Sequence, residues 1–128
     1  MTKSIIIDLD DTISIDSSSE LYPDKLPNIA VVEKLREYSR ECFKIVIFTA
    51  RNQRTYDGNL GLRNLHTLPV ILKWLSAHKV PFDEIRLEKP WCGDGGFYVD
   101  DKAIRPSEFS SLSLEQINKL LDKEKVCF

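Results

Sequence analysis

Residues 4–9 carry three successive isoleucines, Ile5-Ile6-Ile7, with no polar alternation. Such a run suits a strand covered on both faces, as in a parallel sheet. A second run, Ile45-Val46-Ile47-Phe48, predicts another buried strand over 43–48. Between them Val31, Val32, Leu35, Tyr38 and Cys42 recur at helical spacing over 27–42, with Pro27 at a helix start. Leu68, Ile71, Leu72 and Leu75 predict a second helix, and Pro69 fits its first turn, where a missing N–H costs little. Trp74 lies beside that apolar face and reads as core. A weaker strand is expected over 82–87 and a fourth over 96–99. Ser113 with Gln116 forms a capping-box pattern that opens a last helix with Leu114, Ile117, Leu120 and Leu121 on one face. The segments 10–27, 51–64 and 91–96 are polar or glycine-bearing and read as loops.

Strands alternating with helices predict an α/β fold: a three-layer α/β/α, Rossmann-like arrangement around a mainly parallel sheet. The chain has 128 residues, and no repeat or linker divides it, so one domain over 1–128 is expected. Its net charge of -2 argues against a nucleic-acid binder that relies on overall positive charge. The cysteines, Cys42, Cys92 and Cys127, form no CxxC pair and are odd in number. Reduced thiols in a cytoplasmic protein are expected, rather than a disulfide framework or a zinc cluster. Asp8 cuts short the first apolar run, which excludes it as a signal peptide, and no apolar stretch is long enough to span a membrane.

Open parallel sheets bind ligands at the carboxyl ends of their strands. The first predicted strand runs into Asp8-Leu9-Asp10-Asp11-Thr12, the second into Thr49-Ala50-Arg51, the third into Glu88-Lys89-Pro90 and the fourth into Asp100-Asp101. In that order, a DxDxT run, a hydrophobic strand ending in Thr, a Lys and an acidic pair resemble the haloacid dehalogenase superfamily of phosphotransferases. The runs FTARNQRTYDGNLGLRNLHTLPVI and KPWCGDGGFYVDDKAIRP are similar to a small bacterial subgroup, the capsule biosynthesis phosphatases.

The resemblance implies a phosphatase that works through an aspartyl-phosphate. Asp8 would be the nucleophile. Asp10 would protonate the leaving alcohol and then deprotonate the hydrolytic water. A nucleophilic carboxylate must approach an anionic ester, so charge has to be neutralised first, and Mg²⁺ suits oxygen donors. By resemblance Asp8, the carbonyl of Asp10 and Asp100 hold that ion, and Asp101 holds it directly or through water. Thr49 and the N–H of Ala50 would bind phosphoryl oxygens, and Lys89 would counter the charge of phosphate and Asp8.

Arg51, Arg54 and Arg63 are candidates to face an anionic substrate, although each reads equally well as a solvated surface arginine. Asp94, among glycines, is a candidate substrate contact that turn chemistry explains at least as well. Trp91 follows Lys89 closely enough to wall a pocket. His66 and His78 read as a helix-start residue and a surface residue. Neither 13–43 nor 50–88 has room for the separate cap domain that many of these relatives carry, so the site is expected to be open. The subgroup implies a phosphorylated sugar or an intermediate of surface polysaccharide synthesis as substrate. No membrane or nucleic-acid partner is expected, and a homo-oligomer would close the open site. Two alternatives share some of these residues: a nucleic-acid end-processing phosphatase, and a receiver-like signalling module with paired acids after its first strand.

Overall fold

The computed structural model describes residues 3–90 and 92–125. Trp91 and Cys127 lie outside the described residues. Strand β1 (Ser4–Asp8) is followed by a small antiparallel hairpin, β2 (Ser14–Ile15) and β3 (Leu26–Pro27), whose connection holds two short 3₁₀ turns. Helix α1 (Ile29–Arg40) leads to β4 (Lys44–Phe48). A helical arm follows: α2 (Leu60–Leu62), a π-helical turn (Arg63–Thr67) and α3 (Leu68–Ala77). Strands β5 (Glu84–Arg86) and β6 (Phe97–Val99) and helices α4 (Pro106–Ser111) and α5 (Leu114–Asp122) complete the order.

The four long-range strands form a parallel sheet in the order β5-β4-β1-β6. The result is an α/β fold with helices flanking the sheet and no cap domain. Its register explains the two isoleucine-rich runs. Ile5, Ile7, Ile45 and Ile47 face α1 and α3, where Val32, Leu35, Ile71, Trp74 and Leu75 bury against them. Ile6, Val46 and Phe48 face the other way, and Cys92, from the long β5–β6 connection, packs on them. Both faces of the central strands are therefore dry, which is why their sequences show no period of two.

The first helix begins one cap later than its proline suggests. Pro27 pairs with Ser14 in the hairpin, and Asn28 caps α1 by accepting a hydrogen bond from the Val31 N–H. The helical arm begins earlier than the apolar period alone implies. Asn59 accepts from the Leu62 N–H and starts the arm within the segment expected to be loop. The last helix has the expected reciprocal cap: Ser113 Oγ accepts from Gln116 N–H, and Gln116 accepts from Ser113 N–H. No residue of α5 is fully buried, and Leu114 is exposed.

Gly96, at the entry to β6, is fixed by close approach. A Cβ there would collide with the main-chain carbonyls of Ser4 and Cys92. Neither neighbour is a flexible side chain, so the strand itself would have to shift. Gly96→Ala should therefore cost about 1–3 kcal/mol or more, as overpacking does, with a lower urea midpoint as the readout. An unchanged midpoint would show that β6 docks less tightly against β1 than described.

Candidate active site

Parallel register sets the site. Ile7 pairs with Val99, so Asp8 at the end of β1 lies beside Asp100 and Asp101 just past β6. Asp8 pairs with Phe48, so the adjacent strand delivers Thr49 to the same edge. The chain then turns sharply. The Leu9 carbonyl accepts from the N–H groups of Thr12, Ile13 and Ser14, and Asp11 takes a left-handed φ of 61°. Asp11 and Asp16 exchange side-chain-to-N–H bonds across this turn. These bonds hold Asp10 above the sheet edge.

An open cavity of about 1090 Å³ lies over this edge. Asp8, Asp10, Thr49, Ala50, Arg51, Arg54, Lys89, Asp100 and Asp101 all line it. Asp94 does not. It precedes β6 and so stands at the amino end of that strand, whereas the cavity lies at the carboxyl ends. The glycine-rich loop that carries Asp94 enters a strand instead of leaving one, and this corrects its assignment as a substrate contact.

Asp8, Asp100 and Asp101 each offer a carboxylate oxygen, all within 4.8 Å of one another and all half-buried. Thr12 Oγ1 donates within reach of both Asp8 (3.1 Å) and Asp101 (3.4 Å). Burial pushes Asp8 up to about 8, and a hydrogen bond shared with Asp101 and the charges of Asp100 and Asp101 add to the rise. Burial raises Asp101 as well, and the bond it shares with Asp8 works against that rise. Three carboxylates this close cannot all be ionised without a counter-charge. An all-oxygen, half-buried trio is the donor set of a hard cation such as Mg²⁺, and the residues present fit one.

Asp10 faces away from this trio. Arg51 donates to its Oδ1 from Nη2 (2.7 Å) and Nε (3.1 Å), and Thr49 Oγ1 donates to its Oδ2 at 2.8 Å. Thr49 Oγ1 also accepts from the Arg51 N–H. Arg51 is not a surface residue. It is 7% exposed and lies under the Tyr22 ring, 3.9 Å from its centroid. Tyr22 belongs to the β2–β3 connection, which buried Lys25 ties down by donating to the carbonyls of Asp16 and Ser19. The Trp74 indole donates to the Lys25 carbonyl, as a core tryptophan with a satisfied N–H should.

Arg63 is buried as well and donates to three main-chain carbonyls. Arg54 is exposed at the cavity rim. Lys89 places its Nζ over the Tyr98 ring, 4.5 Å from the centroid. His66 lies against the Tyr56 ring and His78 against Trp74. Sequence reasoning missed Tyr22 and Lys102, both of which line the cavity. Tyr22 stood in a polar stretch with no pattern. Lys102 follows the acidic pair directly, a position that could have flagged it.

Over 97% of this chain and 100% of the other, the protein is 54% identical to a Vibrio cholerae protein of known crystal structure, with a TM-score of 0.66. The chain belongs to the same family as that protein. A chain of the Pnkp1/Rnl/Hen1 complex shares the fold at a TM-score of 0.50 and 17% identity, over 87% of this chain and 34% of that one. No protein-family model and no curated protein matches the sequence. No helix among the described residues is long and apolar enough to cross a membrane.

The carboxylate trio makes stability depend on pH. Asp8 holds its proton from its ordinary 3.8 up to about 8 in the folded chain, whereas the unfolded chain releases it near 3.8. The folded state thus binds the extra proton in that window, and metal-free protein loses stability as pH rises through it. Metal-free Asp8→Asn should be more stable than wild type at pH 8 and no more stable near pH 4, measured by urea unfolding. Equal stabilities at pH 8 would show that the three carboxylates are not crowded as described.

Proposed function

We propose that the protein is a phosphomonoester hydrolase of the haloacid dehalogenase superfamily, with Asp8 as the nucleophile of an aspartyl-phosphate mechanism. The observation that supports this best is the gathering of Asp8, Asp100, Asp101, Asp10, Thr49 and Lys89 around one cavity at the carboxyl edge of the sheet. Mg²⁺ held by Asp8, Asp100, Asp101 and the Asp10 carbonyl would neutralise charge on the phosphoryl group and on the attacking carboxylate.

The chain's own groups divide the remaining work. An Asp8 oxygen forms a bond to phosphorus as the bond to the departing alcohol oxygen breaks. Asp10 supplies that oxygen with a proton, then accepts one from the water that cleaves the acyl phosphate, and Asp8 is regenerated with release of inorganic phosphate. Thr49 has a double use in this scheme. Its hydroxyl occupies Asp10 Oδ2 in the free protein. When it turns to a phosphoryl oxygen it frees Oδ2 for proton transfer, while Arg51 keeps hold of Oδ1. Lys89, on the lining of the same cavity, adds positive charge.

A phosphorylated sugar, or an intermediate of surface polysaccharide synthesis, suits the cavity. It is far larger than a phosphoryl group, and Asn52, Gln53 and Thr55 on its lining suit hydroxyl-rich ligands. Arg54 and Lys102 on the same open rim also favour the anionic end of a nucleic acid, against which the net charge of -2 counts. Turnover of phosphorylated sugars, nucleotides and DNA ends, with and without Mg²⁺, separates these substrates. Cleavage of none of them would remove the phosphatase reading.

The two aspartates should fail differently. Asp8→Asn loses the nucleophile, so no phosphoenzyme should form. Asp10→Asn keeps it and loses proton transfer, a loss of about 10²–10⁴-fold. The defect should be largest on alkyl phosphates and small on aryl phosphates, whose leaving groups need little protonation. Equal impairment of Asp10→Asn on both ester types would refute its role as the acid.

A further inference from the structure

We propose that Arg63 is a positioning residue for the phosphoryl site, setting the direction in which the peptide N–H groups of Ala50 and Asn52 point. This rests on the phosphatase reading above. Arg63 begins the π-helical turn and is 4% exposed. Its Nη2 donates to the Thr49 carbonyl, Nε to the Arg51 carbonyl and Nη1 to the Leu87 carbonyl, each at 3.2 Å. Among the described residues no carboxylate pairs with it. A buried guanidinium is costly unless its donors are engaged. Here the loop carbonyls engage them, and the loop is fixed in return.

The peptide bonds of the described chain are all trans. In a trans unit the C=O and the following N–H point in opposite directions. The Thr49 and Arg51 carbonyls turn inward onto Arg63, so the Ala50 and Asn52 N–H groups turn outward. Both residues line the cavity. Among the described residues neither N–H donates to a protein acceptor. Asn52 has a left-handed φ of 61°, the kind of alternation that lets neighbouring N–H groups converge on an anion. The charge of Arg63 lies behind these amides and adds to the attraction. Its third partner, Leu87, stands two residues before Lys89, so the same side chain ties the Thr49 loop to the lysine segment. Lysine could not replace it, because one ammonium cannot span three carbonyls as the planar fork does.

Arg63→Lys tests the role. Wild type and variant would be compared in thermal unfolding, in kcat and KM on an aryl phosphate with Mg²⁺, and in inhibition by inorganic phosphate. A folded variant should lose about 10–100-fold in kcat/KM, as loss of a supporting partner does. Phosphate inhibition should weaken, while the Mg²⁺ concentration for half-maximal activity stays unchanged. Phosphate inhibition equal to wild type would overturn the proposal. In wild-type protein the ¹⁵N–H signals of Ala50 and Asn52 should both shift as inorganic phosphate is added with Mg²⁺. Silence at Asn52 would overturn the proposal even if Arg63→Lys fails to fold. If both amides respond but wild type hydrolyses no phosphomonoester, the amide arrangement stands and the phosphatase reading falls.

Discussion

Crowded negative charge at one edge of the sheet is the constraint that the rest of the structure answers. Parallel pairing of β1 with β6 sets Asp8 beside Asp100 and Asp101, and burial prevents water from screening them. The result is an Asp8 carboxyl that holds its proton up to about 8. In that state Asp8 could not serve as the proposed nucleophile at neutral pH. A divalent cation among these oxygens would relieve the crowding, because its charge favours the ionised form of every carboxylate around it. Thr12, which donates toward both Asp8 and Asp101, orients the carboxylates for such a shared ligand.

A second pairing works against the first. Asp10 stands two residues from Asp8, yet it leans on Arg51 and Thr49 instead of joining the carboxylate trio. The two carboxylates are thus separated, Asp8 within the acidic trio and Asp10 beside a cation of the protein itself. Arg51 in turn is covered by Tyr22, so the small hairpin after β1 takes part in holding the acid. Among the described residues no protein acceptor meets the buried Arg51 Nη1. Leaving a buried donor unmade costs about 1–3 kcal/mol. The face of the Tyr22 ring offsets part of this through its attraction for the guanidinium.

How much of this could be read from the sequence depends on how local each signal is. The four strands of the parallel sheet, the two main helices and the last cap were legible because apolar runs, helical spacing and Ser113 with Gln116 are short-range patterns, whereas the β2–β3 hairpin lay in a polar segment that reads as loop. The site residues at strand ends were legible because sheet topology gathers strand ends wherever they fall in the chain. Arg51 and Arg63 were not, since nothing in a single sequence separates a buried arginine from a solvated one. Their partners lie up to 41 residues away or are main-chain carbonyls. The start of the helical arm, residues 60–64, reads as loop because Gly58 and Gly61 punctuate it. Asn59 supplies the cap, and Pro69 sits where its missing N–H is harmless. Asp94 shows the opposite failure. A glycine-rich acidic loop looks functional, but it lies at the wrong end of its strand.

The loop over 50–58 combines rigidity and exposure in a way that suits an uncapped site. Its base is held from inside, by Arg63 on the Arg51 carbonyl and on the preceding Thr49 carbonyl, and by Asn52 Nδ2, which donates to the buried Thr67 hydroxyl at 2.8 Å. Its outer residues, Gln53, Arg54 and Thr55, are exposed and line the cavity rim. Main-chain groups at the base therefore stay fixed whatever side chains the tip carries. A capped enzyme can place specificity on a separate domain that closes over its substrate. In the phosphatase reading proposed above, the same segment would both hold the reacting phosphoryl group and recognise what it is attached to. Anchoring through carbonyls and a threonine hydroxyl meets both demands, because none of those anchors depends on the identity of the residues at the tip.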